Sequence, residues 1–264
     1  MLRVENISKT FNPGTVNEKK ALDGLSLTLE SGDFVTVIGG NGAGKSTLLN
    51  ALAGTWKVDS GKIFIDGNDV TKMPEHKRAA FLGRVFQDPM MGTAATMGID
   101  ENLALAARRG KIRGLGRGIT SRERAEYKEL VATLDLGLED RITSKVGLLS
   151  GGQRQAITLL MASLKKPKLL LLDEHTAALD PKTAAKVLET TEEIVNRDHL
   201  TTLMITHNMR DAIAHGNRLI MMNNGKIILD ISGEDKRRLT VDDLLEKFAV
   251  ASGSEFDNDR MILG

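Results

Sequence analysis

Apolar and polar positions alternate with a period of two over residues 2–7 and 22–29, which predicts strands with one buried face. The run Phe34-Val35-Thr36-Val37-Ile38 is continuously apolar and β-branched and ends in glycines, so it predicts a fully buried strand feeding a loop. A helical period follows over 45–53, strand patterns recur at 62–65 and 82–86, and 99–107 is helical again. Residues 108–118 break the pattern with glycine and arginine. Thr120-Ser121-Arg122-Glu123 then matches a capping box opening a helix toward residue 136, and an apolar helix extends from 151 to 164. The alternation resumes with a strand from 168 to 172, a helix over 181–196 and a strand over 201–206. Strands at 218–222 and 226–231 flank Asn224-Gly225, a strong hairpin signal.

This alternation predicts an α/β fold with a largely parallel sheet, in one domain or a core with a smaller insertion, as 264 residues allow. The apolar fraction of 41% and charged fraction of 27% are those of a globular protein. A formal net charge of +1 provides no global field toward nucleic acid or an anionic membrane, so partners must be argued from sites. No cysteine is present, which excludes disulfides and thiolate metal sites and fits a cytoplasmic compartment. No stretch approaches the roughly 18 apolar residues of a membrane helix.

Three constellations carry chemistry. Gly39-Gly40-Asn41-Gly42-Ala43-Gly44-Lys45-Ser46 fits G-x-x-x-x-G-K-[ST] between a predicted strand and helix. Its glycines let backbone N–H groups turn toward phosphate oxygens, Lys45 can reach the β- and γ-phosphates, and Ser46 can ligate Mg²⁺. The apolar run 169–172 carries Asp173 and Glu174 off its C-terminal end, where parallel sheets gather ligands. In a phosphoryl-transfer site the first carboxylate would hold Mg²⁺ and the second would orient or deprotonate water, although Asp173 capping the next turn reads equally well from residues alone. Leu149-Ser150-Gly151-Gly152-Gln153 contains an S-x-x-Q capping box. A cap accounts for Ser150 and Gln153. It does not account for two glycines in a first helical turn, which cost roughly 1 kcal/mol each relative to Ala, and which suit close approach of a phosphate to the helix N-terminus.

Together with Gln87 in Val85-Phe86-Gln87-Asp88-Pro89, Ala178-Leu179-Asp180 and His207 in Ile205-Thr206-His207, these motifs resemble the ABC ATPase domain, in family order over about residues 2–230. The resemblance implies a P-loop NTPase core with a mixed, mainly parallel sheet, an antiparallel β subdomain, and an inserted α-helical subdomain bearing the signature. The expected division is a core over 1–86 and 165–250, a helical subdomain over 87–164 and a polar tail over 251–264. It further implies ATP and Mg²⁺ as cofactors and a head-to-tail dimer in which each ATP lies between the phosphate loop of one copy and the signature of the other. Carried over, Gly39, Asn41, Gly42, Ala43, Gly44, Lys45, Ser46 and Thr47 cradle phosphates, and Ser46, Gln87 and Asp173 serve the metal. Glu174 is the general base or water-positioner, with Gln87 and His207 at the γ-phosphate. Ser150, Gly151, Gly152 and Gln153 complete the partner copy's site, and Asp180 crosses the dimer interface. Phe11 matches the adenine-stacking aromatic, or else is a core aromatic ending the first strand.

His175 stands where the family pattern usually has proline, and is read as a structural substitute rather than a ligand. The basic stretch 108–117 has no interleaved aromatic for base stacking, so nucleic acid is not expected; it reads as a solvated loop, or as a contact to lipid headgroups or a permease edge. The expected function is the ATPase subunit of an importer, peripheral on the inner membrane face through separate permease subunits, with an extracytoplasmic substrate-binding protein and possible amino-acid cargo. The competing expectation is a soluble ABC ATPase acting as a mechanical clamp, as in iron–sulfur cluster assembly or lipoprotein release.

Overall fold

The structure, a computed structural model, describes residues 1–110 and 118–252. Its chain order is β1 (Leu2–Phe11), β2 (Lys19–Leu29), β3 (Phe34–Ile38), α1 (Lys45–Ala53), β4 (Ser60–Ile65), β5 (Asn68–Asp69), α2 (Glu75–Arg78) and β6 (Leu82–Val85). There follow α3 (Ile99–Ala107), α4 (Ser121–Ala132), α5 (Gly151–Ser163), β7 (Leu169–Asp173), α6 (Pro181–Asp198), β8 (Thr202–Ile205), α7 (Met209–Ala214), β9 (Arg218–Asn223), β10 (Lys226–Ser232), α8 (Gly233–Arg237) and α9 (Val241–Ser252).

Two sheets form. One is antiparallel in the order β2-β1-β4-β5; the other has the order β10-β9-β3-β8-β7-β6, parallel throughout except for the antiparallel edge strand β10. The fully buried strands β3 and β7 lie inside the second sheet, as their unbroken apolar runs require. Leu2, Val4 and Ile7 of β1 face one core shared with β2, β4, α1 and the lower face of the larger sheet. On the opposite face Leu170 and Leu172 of β7 meet Ile99, Leu103, Tyr127, Val131, Ile157 and Leu160, so the helices α3 to α5 share a core with the sheet. Among the described residues no helix is long and apolar enough to cross a membrane.

Strands run further than their apolar alternation. β1 continues past residue 7 to Phe11 because Lys9 pairs with Leu22 and Phe11 with Lys19, polar ladder positions that a burial pattern does not mark. The helix expected to reach residue 136 stops at Ala132, ahead of a turn in which Asp135 has φ 53°. α9 runs past residue 250 to Ser252; Leu244 is fully buried against Ile38, Leu219 and Met221. The rest of the expected polar tail, from 253, lies outside the described residues, as do 111–117 of the basic stretch.

Candidate nucleotide site

The phosphate loop leaves β3 in the middle of the parallel sheet and enters α1 at Lys45. Gly44, the N-cap, has φ 104°, and a Cβ there would lie 2.5 Å from the carbonyl oxygen of Ala21; this turn therefore needs glycine on conformational and steric grounds. Residues 40–47 line one cavity together with Phe11, Lys19, Ala21 and Glu174. Gly39 lies at the loop's base. Its carbonyl accepts a 2.6 Å hydrogen bond from Nζ of Lys45, which also donates to the carbonyl of Gly40 at 3.3 Å. Burial holds the Lys45 ammonium below its ordinary pKa, opposed by the negative charges of Glu174 and Asp173. A cation inside a concave loop that opens onto a helix N-terminus is a binding arrangement for phosphate. Phe11 meets Trp56 edge to face, with ring centroids 5.0 Å apart, so it reaches the cavity wall rather than closing the core.

β7 delivers the two carboxylates. Burial raises the pKa of Asp173, while Arg84, 3.4 Å from its Oδ2, and Lys45 oppose the shift. Glu174 follows with φ 45°, a conformation uncommon for a residue with a side chain, which turns it away from the strand line into the cavity. Its Oε2 is 3.6 Å from Nδ1 of His207, carried at the end of the neighbouring strand β8. His175 is buried, with Nε2 3.1 Å from Oγ1 of Thr191 in α6, and burial lowers its pKa to about 4. Its side chain is tied to α6 and does not line the phosphate-loop cavity.

Among the described residues no group of three or more His, Cys, Asp or Glu side chains forms a metal cage. The Ser46 hydroxyl at the start of α1 and the half-buried Asp173 carboxylate are hard oxygen donors. One or two protein oxygens beside substrate phosphates are what Mg²⁺ takes, so the residues present fit that ion.

The signature residues lie elsewhere. Ser150 caps α5, accepting from the N–H of Gln153 at 3.3 Å while Gln153 Oε1 accepts from the N–H of Ser150 at 3.2 Å. The capping box is real. Ser150, Gly152 and Gln153 line a groove with Thr183, Lys186 and Val187 of α6, and this groove shares no residue with the phosphate-loop cavity. Gly152 also has a reason within the chain: a Cβ there would lie 2.1 Å from Cγ2 of Thr183. Gly151 would place its Cβ 3.1 Å from Leu179. Asp180 caps α6, accepting from the N–H of Thr183 at 3.1 Å, with Pro181 in the first turn. Gln87 is exposed in the segment after β6 and does not line the phosphate-loop cavity.

Residues 108–110 of the basic stretch are described. Arg108 pairs with Glu123 at 2.7 Å and donates to the Ala104 carbonyl, while Arg109 donates to that of Ala162 and is buried enough to lower its pKa. Both guanidiniums are engaged by protein. Arg84, Trp56 and Arg78 lie outside every motif of the sequence. Arg78 is buried and donates to four carbonyls, those of Met73, Thr71, Ala51 and Leu52, the last two closing the C-terminal end of α1. Nothing in the local pattern marks a buried cation satisfied only by backbone.

Fold and phosphate loop define a P-loop nucleoside triphosphatase. The family model described as ABC transporter matches residues 22–177. The tyrosine transport ATP-binding protein of Clostridioides difficile (strain R20291) is 45% identical over 252 residues, spanning 95% of this chain and 100% of that protein. The methionine import ATP-binding protein MetN of Rhizobium johnstonii (strain DSM 114642 / LMG 32736 / 3841) is 36% identical over 231 residues, 86% of this chain and 60% of MetN. Among solved structures, the ATP-binding cassette MJ0796, dimeric in a post-hydrolysis state with ADP and Pi, superposes with a TM-score of 0.74 at 28% identity, covering 88% of this chain and 98% of that one. The chain belongs to the ABC transporter family, as an ATP-binding and ATP-hydrolysing subunit.

Proposed function

We propose that two copies of this chain close head to tail around two ATP molecules and so drive separate permease subunits at the inner face of a membrane. One observation carries this reading: the phosphate-loop cavity and the groove at Ser150 share no residue, so one chain offers two half-sites rather than one whole site. The dimeric state of MJ0796 with ADP and Pi supports the same arrangement. Lys45 and the loop amides of residues 42–47 hold the phosphates. Ser46, Asp173 and Gln87 would hold Mg²⁺, which when bound neutralises charge developing on the transferred phosphoryl group. Glu174 orients the attacking water or accepts its proton, and His207, beside it at 3.6 Å, contacts the γ-phosphate. Phe11 stacks on the adenine, with Trp56 behind it. Ser150 and Gly152 present the α5 N-terminus to the partner copy's nucleotide, while Asp180 lies at the dimer interface.

Import of a small molecule, of the amino-acid class, is the reading that the tyrosine transport and methionine import relatives support; an extracytoplasmic binding protein would deliver that cargo to the permease. The test pairs two variants. Glu174→Gln removes the charge that orients water but keeps the shape, so it should bind ATP, accumulate as a dimer by light scattering and lose nearly all turnover. Ser150→Arg should bind ATP as a monomer and likewise fail to hydrolyse it. Near-wild-type turnover in Glu174→Gln refutes its catalytic role, and near-wild-type turnover in Ser150→Arg refutes the shared site. Recovery of a multi-span permease with the chain from detergent-solubilised membranes tests the partner.

A further inference from the structure

Arg84 on β6 belongs to none of the recognised motifs, yet its guanidinium reaches the supports of all three proposed metal ligands. Nη2 donates to Oδ1 of Asn50 at 3.0 Å and contacts Oδ2 of Asp173 at 3.4 Å, and Nη1 reaches Oγ1 of Thr55 at 3.5 Å. Asn50 in turn donates from Nδ2 to the carbonyl of Ser46 at 2.8 Å. The guanidinium carbon sits 4.5 Å from the centroid of the Phe86 ring, the residue before Gln87. Asp173 is thus contacted directly, Ser46 through Asn50, and the Gln87 segment through Phe86.

The balance of these contacts separates geometry from charge. The ion-pair contact is long and involves one carboxylate oxygen, whereas the Asn50 hydrogen bond has the ordinary length and the guanidinium carbon lies within cation–π distance of the Phe86 ring. Nε of Arg84 is buried and has no hydrogen-bond partner. A buried donor left unmet calls for a reason, and a positioning task of the rest of the group is one. A lysine would supply the same charge to Asp173 but neither fork nor stacking plane.

We infer that Arg84 is a positioning residue for the Mg²⁺ shell, and that its planar fork, rather than its charge, sets the metal affinity of the nucleotide site. The inference rests on the proposed assignment of Ser46, Asp173 and Gln87 as metal ligands. Supports one step removed from a metal's ligands commonly change affinity by about tenfold or more when lost.

The test uses the full chain with Glu174→Gln, so that ATP persists, and measures ATP affinity in EDTA, ATP binding across a Mg²⁺ titration, and the EPR spectrum of bound Mn²⁺. Arg84→Lys and Arg84→Met should each raise the Mg²⁺ concentration for half-saturation about tenfold, broaden the Mn²⁺ spectrum, and leave metal-free ATP affinity within about twofold. Asn50→Ala should shift the titration in the same direction and add little on top of Arg84→Lys, since both cut one chain of contacts. Should Arg84→Lys lose metal-free ATP binding through misfolding, the Asn50→Ala titration decides. A titration unmoved by Arg84→Lys, or Mg²⁺ binding tightened in Arg84→Met by removal of a nearby positive charge, overturns the inference. Asp173→Asn is the control. If it leaves the titration unmoved, the ligand assignment itself fails; if it moves the titration while Arg84→Lys does not, only the role of Arg84 fails.

Discussion

Gly152→Ala tests whether the signature glycine is demanded by this chain, by its partner copy, or by both. The added Cβ would lie 2.1 Å from Cγ2 of Thr183, a distance that real contacts do not show, so α5 and α6 must separate or Thr183 must change rotamer. Overpacking of this kind costs about 1–3 kcal/mol, and replacing Gly by Ala in a helix returns up to about 1 kcal/mol. The expected net loss is about 1–2 kcal/mol, or roughly 2–8 °C in melting temperature for a chain of this size. Thermal melts by circular dichroism on the nucleotide-free chain measure it. Thr183→Ala removes the obstructing methyl while leaving the backbone N–H that Asp180 caps, so Gly152→Ala with Thr183→Ala should melt within about 2 °C of the wild type. If the partner's phosphate also needs close approach here, the rescued double variant still hydrolyses ATP poorly. Unchanged melting of Gly152→Ala refutes the packing argument, and full hydrolysis in the double variant refutes the argument from the shared site.

Arg78→Met should leave four carbonyls, two buried and two part-buried, without their donor. At about 1 kcal/mol each, offset in part by the desolvation that the guanidinium no longer suffers, the expected loss is about 3 kcal/mol. Urea denaturation checks it, and a loss under about 1 kcal/mol would mean that the α1 terminus does not depend on this residue. Lys236 is buried, donating to the carbonyls of His215 and Gly216, and burial lowers its pKa to about 8 from 10.5. Between those two values the unfolded chain still holds the proton that the folded one has released, so this group's contribution to stability rises with pH across that window. After allowance for residual solvent contact, the wild type should gain at most about 2 kcal/mol relative to Lys236→Met as pH rises from about 8 to 10.5. A difference independent of pH would contradict the burial argument.

Much of the architecture was legible because period and punctuation agree. Lys45–Ala53 and Ile99–Ala107 are helices over the spans that their apolar spacing marks, and the β3 run ends where its glycines begin. What escaped was structure fixed by distant neighbours. The polar ends of β1 are strand because β2 pairs with them, and α9 is helix with its apolar face against β9 and β10. At the site, the phosphate loop and the carboxylate pair were readable as motifs. The engagement of Arg108 and Arg109 with Glu123, Ala104 and Ala162 was not, since a run of arginines looks the same whether solvated or tied down.

The sequence by itself determined the chemistry on offer: a glycine-rich turn with phosphate-loop spacing, a lysine, two carboxylates, and a helix start with two glycines. Glycine placement and residue spacing are local properties, and they survive without a fold. Only the tertiary structure decided which of these meet. Parallel pairing of β3, β8 and β7 places Lys45, Glu174 and His207 at adjacent strand ends, whereas α5 packs on α6 and leaves Ser150 facing a separate groove. It also showed Gly152 serving the chain's own packing and Arg84 bridging Asn50 and Asp173. Those relations depend on contacts between residues far apart in sequence, which packing of the whole chain creates and no local pattern encodes.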